Sequence, residues 1–407
     1  MCSAVNPCRR AACAAPSGWF SLRNVLFDRR QIFTALAAGA AARFATASDD
    51  PIAIPGKRPM ILHNDRPEDL ETPVHYFNSY LTPLDVFFVR QHIPRPAPID
   101  PETYRLTVNG MVSKPLSLTL ADLKKLPQYT VPAVLECTGN GRGFYSPKVP
   151  GIQWGRGAIG NAEWRGPRIS DILKLASASS GAAFLETNGA DSGLAKTPDF
   201  IRSLPMSKAL HPATLLALTM NGQPIPNLHG FPARLLVPGW DGTSSVKWVI
   251  SLTAAAEANK GFFMNPGYRY PKYALPPGTP ARPAELEVIE AMPVKSTITA
   301  PEDQSKAPLG AISIRGFAWA GEHAIERVDV STDGGSRWRE ANLSGPKLPF
   351  AWRLWQIQWQ PSDPGYYTIL SRATDSAGRV QPIVAEWNPS GYLWNAIDRV
   401  GVLVEKS

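Results

Sequence analysis

Residues 135–145, LECTGNGRGFY, decide how this chain is read. They hold Cys137, the one cysteine beyond residue 13; the others are Cys2, Cys8 and Cys13. If the N-terminal segment is removed, no disulfide can form within what remains. The preceding run, YTVPAVLE from Tyr129 to Glu136, is rich in β-branched residues and predicts a strand that ends at the loop. A strand end is a rigid place from which to present a ligand, and a thiolate suits soft transition metals. A lone cysteine is also often a small buried apolar side chain, so position alone leaves both readings open. Gly139, Gly141 and Gly143 lack the G-x-G-x-x-G spacing and no helical pattern follows them, which argues against a dinucleotide site.

Outward from this loop, between Ser48 and about Tyr273, strand-like runs (YRLTVNGMV, FPARLLVPGW, SSVKWVISL) mix with helix-like ones (SLTLADLKKL, RISDILKLA, IRSLPMSKAL). They show no βαβ rhythm, which predicts one α+β domain over residues 48–280. YALPPGTPARPAE, with Pro276, Pro277, Pro280 and Pro283, reads as a linker or domain seam. Beyond it the period becomes two: Val328, Val330 and Thr332 alternate with Arg327, Asp329 and Ser331, and Trp355, Ile357 and Trp359 with Gln356 and Gln358. Asp333-Gly334-Gly335 and DSAGR supply turns. Residues 285–407 are therefore expected to form a β-sandwich of roughly 120 residues.

Residues 28–50, DRRQIFTALAAGAAARFATASDD, carry the paired Arg29 and Arg30, an apolar run from Ile32 to Ala42, and the small-residue site Ala45-Thr46-Ala47. The run is too short to span a bilayer. Its layout is that of a cleavable twin-arginine signal, so residues 1–47 are expected to be removed and the protein to reach the periplasm already folded, with no membrane span after processing. The net charge of +8 does not point to nucleic acid. Six arginines and one aspartate in residues 1–47 account for +5 of it, leaving +3 for the remainder, and no long Lys/Arg run occurs. G-x-S-x-G, H-E-x-x-H, paired C-x-x-C and the C-x-x-C-H haem signature are absent, and the six histidines are scattered singly.

Two further stretches carry candidate chemistry. In FFVRQHIPRP, Arg90 and His92 share a face if Phe87 to His92 is a strand, and two cationic or hydrogen-bonding groups there would make an anion pocket. In HGFPARLLVPGWDGTSSVKW, His229, Arg234 and Lys247 are interleaved with apolar residues, a placement that suggests buried cations facing a multiply charged partner such as a phosphate. Solvated strand edges and structural salt bridges are the competing explanations.

Taken in order with GIQWGRGAIGNAEWRG and GADSG, these motifs resemble the sulfite oxidase family of molybdenum enzymes. RGFAWAGEHAIERVDVSTDGGSRW, AWRLWQ and NPSGYLWNAIDRV resemble that family's immunoglobulin-like dimerisation domain. The resemblance implies that Cys137 binds the molybdenum of a molybdopterin cofactor, that Arg90 and Arg142 bind an oxyanion beside it, and that Trp154 forms the pocket wall. It implies that Phe88, Arg90, His92, Asp191, His229, Arg234, Ser245 and Lys247 hold the pterin and its phosphate. A tyrosine that reaches the reacting oxygen is either Tyr268 or Tyr270. Gln91 stands where the family usually has Asn. The implied activity is oxidation of sulfite to sulfate by a homodimer with no haem in the chain, which passes electrons to a separate carrier, expected to be a cytochrome c. Sulfane dehydrogenase is the family alternative, disfavoured by the intact CTGNGR; a cofactor-free exported binding protein is the alternative of a different class.

Overall fold

Strand β1 (Arg105–Gly110) buries Leu106 and Val108 and exposes Arg105 and Thr107, the alternation of a sheet with one wet face. The hairpin partner β2 (Leu116–Thr119) leads into the short helix α1 (Leu120–Lys125), which starts where the Thr119 hydroxyl accepts from the Asp122 amide while the Asp122 carboxylate accepts from the Thr119 amide. Next come the antiparallel pair β3 (Tyr129–Glu136) and β4 (Ile159–Gly166), helix α2 (Ile169–Leu175), the antiparallel pair β5 (Phe184–Gly189) and β6 (Ile201–Pro205), helix α3 (Met206–Ala209), β7 (Arg234–Leu236) and β8 (Val249–Ala255). A five-stranded sheet has the order β2-β1-β8-β5-β6, with β8 parallel to β1, and β3 and β4 belong to a separate four-stranded sheet. The computed structural model describes residues 54–193 and 197–406. The expected signal segment, residues 1–47, lies outside them.

From residue 295 the pattern becomes that of a sandwich. Strands β9 (Lys295–Ala300), β10 (Ile312–Trp319) and β12 (Arg353–Trp359) form one sheet with Asn342–Ser344. The other sheet combines β11 (Ile325–Ser331), β13 (Gly365–Asp375) and β14 (Asp398–Glu405) with Ser305–Pro308 and Arg339–Glu340. Ile314, Val328, Trp355, Ile369 and Val402 pack between the two sheets. In β12 the expected alternation holds: Trp355, Ile357 and Trp359 are buried and both glutamines exposed. In β11 it does not, because Asp329 and Ser331 are buried as well as Val328 and Val330, with Asp329 paired to Arg327 and Arg372.

Two other expectations change. Phe87 to His92 is not a strand: the chain turns at residues 84–87, and only Val89 bridges, to Leu70. IRSLPMSKAL is not one helix, because its first half is edge strand β6, and α3 begins only after Pro205. The proline-rich stretch, expected as a linker or domain seam, is a loop closed at its base. Its flanks, Arg269–Pro271 and Leu286–Val288, pair antiparallel, and the Lys272 amide donates to Glu285 O at 2.9 Å.

The two sheet systems meet at the end of β3. Its last four residues are buried on both faces: Ala133 and Leu135 join the catalytic-side cluster, while Val134 packs with Phe317, Trp319 and Trp352. Glu136 is 1% exposed and its carboxylate accepts from Lys295 Nζ at 2.8 Å, Trp319 Nε1 at 2.6 Å and Asn140 Nδ2 at 2.9 Å. Lys295→Met leaves that carboxylate buried without its cation and is expected to destabilise the protein by about 3–5 kcal/mol. Chemical denaturation checks this, and a loss under about 1 kcal/mol would put the pair among weakly contributing surface bridges.

Candidate active site

Cys137 follows the last residue of β3, and its amide donates to Ala158 O at 2.9 Å, continuing the β3–β4 pairing by one rung. The loop beyond is held from within. The Asn140 amide donates to Cys137 O at 2.8 Å, and Asn140 Oδ1 accepts from the Ala158 amide at 3.1 Å. Gly141 sits at φ +88°, against Trp394; a Cβ there would lie 2.5 Å from the indole, so only glycine fits. Thr138 donates to Asp241 Oδ2 at 2.7 Å, and Asp241 also accepts from Thr243 and Ser244, tying the DGTSS turn to the thiol loop.

Cys137 is 8% exposed and packs against an apolar cluster, yet its side chain also lines a cleft of about 610 Å³, open mouth included. Burial pushes the thiol pKa up, opposed by Arg90, by Arg142 and by the Gly139 amide. Arg90 is held by Asp69, with Nη1 3.1 Å from Oδ1. Arg142 runs between Gly139, Gly151 and Gly391, where an added Cβ would come within 2.8 Å of it. Its Nε donates to Ser390 O and its Nη1 to Ile152 O, both at 3.1 Å.

The mouth adjoining this centre is lined by Arg90, His92, Tyr268 and Tyr392. Tyr268 lies in the left-handed region at φ +55°, a strained conformation for an aromatic residue that must be over-determined by its surroundings. Its hydroxyl is hydrogen-bonded to His92 Nε2, its ring stacks on Tyr392 at 5.5 Å, and burial raises its pKa so that it stays a phenol. Tyr270 instead sits in a two-stranded ribbon opposite Glu287. Of the two sequence candidates, the fold therefore brings Tyr268 to the mouth. His92 stacks on Phe200 at 4.4 Å; burial, then Arg90, Lys247 and Arg202, hold its pKa well below the usual value, so the imidazole is neutral.

The far part of the cleft is cationic. Phe88, Asp191, His229, Arg234, Ser245 and Lys247 all line it. Ser245 Oγ accepts from the Val237 amide at 3.0 Å, pinning β7 to the DGTSS turn. Arg234 is 6% exposed, donates to His229 O at 3.1 Å, and keeps a buried Nε without a partner among the described residues; burial pushes its pKa down to about 9. Lys247 donates to Arg90 O at 3.1 Å; burial and then Arg234 lower its pKa, against Asp191. Lys57 donates to Leu84 O and Phe87 O at 2.7 Å and lies 2.9 Å from His229 Nε2. Burial takes its pKa to about 7. Among the described residues none of these three cations forms an ion pair with a carboxylate. Asp191 Oδ1 is likewise buried and unpartnered. Buried charges are normally compensated, so this end is built for an anion. A soft sulfur and buried cations lining one cleft, with orphaned polar atoms on Arg234 and Asp191, fit a molybdenum-bearing pterin with a phosphate tail.

The structure thus brings together Phe88, Arg90, His92, Cys137, Arg142, Asp191, His229, Arg234, Ser245, Lys247 and Tyr268. Trp154 is placed differently. It is fully buried in the cluster behind Cys137, edge-on to His63 at 4.7 Å, and so backs the centre instead of forming an open wall. Sequence reasoning missed Lys57, Asp69, Asp241 and Tyr392; the first two sit in unremarkable local contexts, Asp241 lies unassigned inside the HGFPARLLVPGWDGTSSVKW stretch, and Tyr392 lies inside a motif assigned to the sandwich.

This fold and cleft define a molybdopterin oxidoreductase with an appended sandwich. The family model for the oxidoreductase molybdopterin-binding domain matches residues 92–263, and that for the Mo-co oxidoreductase dimerisation domain matches residues 286–405. The chain is 37% identical to mitochondrial sulfite oxidase of Mus musculus, covering 88% of this chain and 67% of the relative. It is 34% identical to sulfite oxidase of Arabidopsis thaliana, covering 79% and 88%. The sulfane dehydrogenase SoxCD of Paracoccus pantotrophus superposes with a TM-score of 0.74 at 31% identity, over 90% of this chain and 97% of that one. The chain belongs to the sulfite oxidase family.

The lowered pKa of Lys57 fixes a sign. From about 7 to 10.5 the unfolded chain holds more of this proton than the folded one, so stability rises with pH across that window, and the full penalty is present below it. Cofactor-free protein should show a rise in unfolding midpoint between about pH 7 and 9 that is reduced in Lys57→Met. Calorimetry on both proteins checks the difference.

Proposed function

We propose that this sulfite oxidase-type molybdoenzyme is an exported sulfite dehydrogenase. Sulfite and water are converted to sulfate with release of two protons and two electrons, and the electrons leave singly to a separate carrier such as cytochrome c. The observation that carries the reading is that Arg90 lines both the cleft with Cys137 and the mouth with Tyr268, while Arg142 is held in the thiol loop by Ser390 O and Ile152 O. When bound, the molybdenum cofactor supplies the two-electron redox change.

The chain's own residues do the rest. Cys137 is the thiol ligand, held by the β3–β4 ladder and the Asn140 turn. Two guanidinium groups suit a small oxyanion because their forked donors are fixed and stay charged throughout. Asp69 and the carbonyls of Ser390 and Ile152 hold those forks before substrate arrives. Tyr268, neutral and hydrogen-bonded to neutral His92, offers a hydroxyl at the mouth without adding charge. Arg234 and Lys247 hold the anionic tail of the cofactor, with Asp191, His229, Ser245 and Phe88 around it and Lys57 against His229.

The chemistry of sulfite supports water as oxygen source, and a sequence without a C-x-x-C-H motif supports a separate one-electron carrier. The Arg29-Arg30 pair supports periplasmic export, with a mature start near Ser48. The match to a dimerisation domain supports a homodimer. The likeness to SoxCD favours sulfane dehydrogenase as the second reading.

Purified, molybdenum-loaded protein is expected to reduce cytochrome c when given sulfite and to do so poorly with thiosulfate; the reverse preference would select the second reading. Cys137→Ser should retain no more than about a tenth of turnover, a loss of at least ~1.4 kcal/mol in transition-state stabilisation. Arg90→Met and Arg142→Met should each raise KM for sulfite roughly tenfold, because a charge-assisted contact in a desolvated site is removed. An unchanged KM in both arginine variants would remove their oxyanion role.

A further inference from the structure

The loop between β13 and β14 does more than close the sandwich, because it returns to the thiol loop and delivers an aromatic side chain to the mouth. Leu393 N donates to Thr138 O at 2.9 Å, one residue from Cys137. Ser390 O accepts from Arg142 Nε at 3.1 Å. Tyr392 O accepts from the Tyr145 hydroxyl at 2.7 Å and from Asn388 Nδ2 at 2.9 Å, while Asn388 Oδ1 accepts from the Tyr392 amide at 3.0 Å. With its backbone fixed at both polar groups, Tyr392 has little freedom except at its ring.

That ring touches two groups of the site at once. It stacks on Tyr268 with centroids 5.5 Å apart and planes 17° apart, and Arg142 Cζ lies 5.2 Å from its centroid. It also lines the mouth with Arg90 and Tyr268. We propose that Tyr392 is a positioning residue whose ring face holds Tyr268 and Arg142 in place and so sets the affinity of the mouth for a small tetrahedral or pyramidal oxyanion. This rests on the reading of the mouth as the oxyanion site. The physical basis is that an offset ring stack restrains the strained Tyr268, and a cation–π contact restrains a guanidinium that has no carboxylate partner among the described residues.

The test uses the molybdenum-loaded protein and two substitutions. Tyr392→Phe keeps the ring face, whereas Tyr392→Leu keeps apolar bulk but no π face; Tyr392→Met replaces the leucine variant if that one does not accumulate. Sulfate binding is followed by isothermal titration, with sulfite kinetics, molybdenum content and unfolding midpoint measured alongside. Tyr392→Leu should weaken sulfate binding and raise KM about fivefold or more, with a smaller change in kcat, while Tyr392→Phe stays within about twofold of wild type, the contrast expected if the lost contacts are the stack and the cation–π pair. Unchanged sulfate affinity in the leucine variant overturns the proposal, as does a phenylalanine variant equally weakened, since the hydroxyl would then be the active element. A wild type that binds no sulfate also overturns it. A wild type that binds sulfate without oxidising sulfite defeats the functional reading alone, and the sulfate comparison still decides the role of Tyr392.

Discussion

Glu136 places a carboxylate where water does not reach, and much of the molecule is arranged around satisfying it. One oxygen faces Lys295 and Asn140, the other Trp319. Lys295 and Trp319 belong to the sandwich, Asn140 to the thiol loop, and Glu136 immediately precedes Cys137. A buried charge left uncompensated is costly, so the three partners cannot be displaced independently. Docking of the sandwich, the course of the CTGN turn and the direction of the thiol are thereby coupled through one side chain. This also explains why β3 is buried on both faces at its end.

The cleft applies the same physics in the opposite sense. Lys57, Arg234 and Lys247 have carbonyl partners but no ion pairs among the described residues; His229 is held neutral by burial and then by these three cations, and His92 by burial, Arg90, Lys247 and Arg202. Such an arrangement is unfavourable until an anion enters, which turns binding energy into stability of the folded state. The soft centre at Cys137 and the cationic tail site are separate in chemistry and are spanned by one cleft. A ligand must offer both a thiophilic metal and a multiply charged tail to satisfy both ends.

Arg142 shows how the two sheet systems share one site. Three glycines give it room, two from the catalytic side and Gly391 from the sandwich loop, and the carbonyl of Ser390 orients it. The sandwich is therefore part of the wall around Arg142 as well as the segment that matches a dimerisation domain. The proline-rich stretch fits this closeness. Its ends are joined by strand pairing, so it does not hold the flanking segments apart as an open linker would.

The sequence by itself determined the α+β-then-sandwich order, the strand that ends at Cys137, and most of the residues in the cleft. The order and the strand were legible because they depend on local rules, namely β-branched runs, period-two alternation and turn residues; the cleft residues were implied by the family resemblance of an ordered set of motifs spread from Phe87 to Trp248. It missed where those rules conflict with packing. Asp329 and Ser331 are buried against a period-two pattern because neighbouring arginines and strands cover that face. Arg90 and His92 meet the site from an irregular segment, held by Asp69 and Phe200 instead of a strand ladder. Lys57, 172 residues from His229, and Tyr392, 124 residues from Tyr268, could be assigned only in three dimensions. Their roles come from contacts between distant parts of the chain, and no local propensity records which distant groups will share a desolvated space.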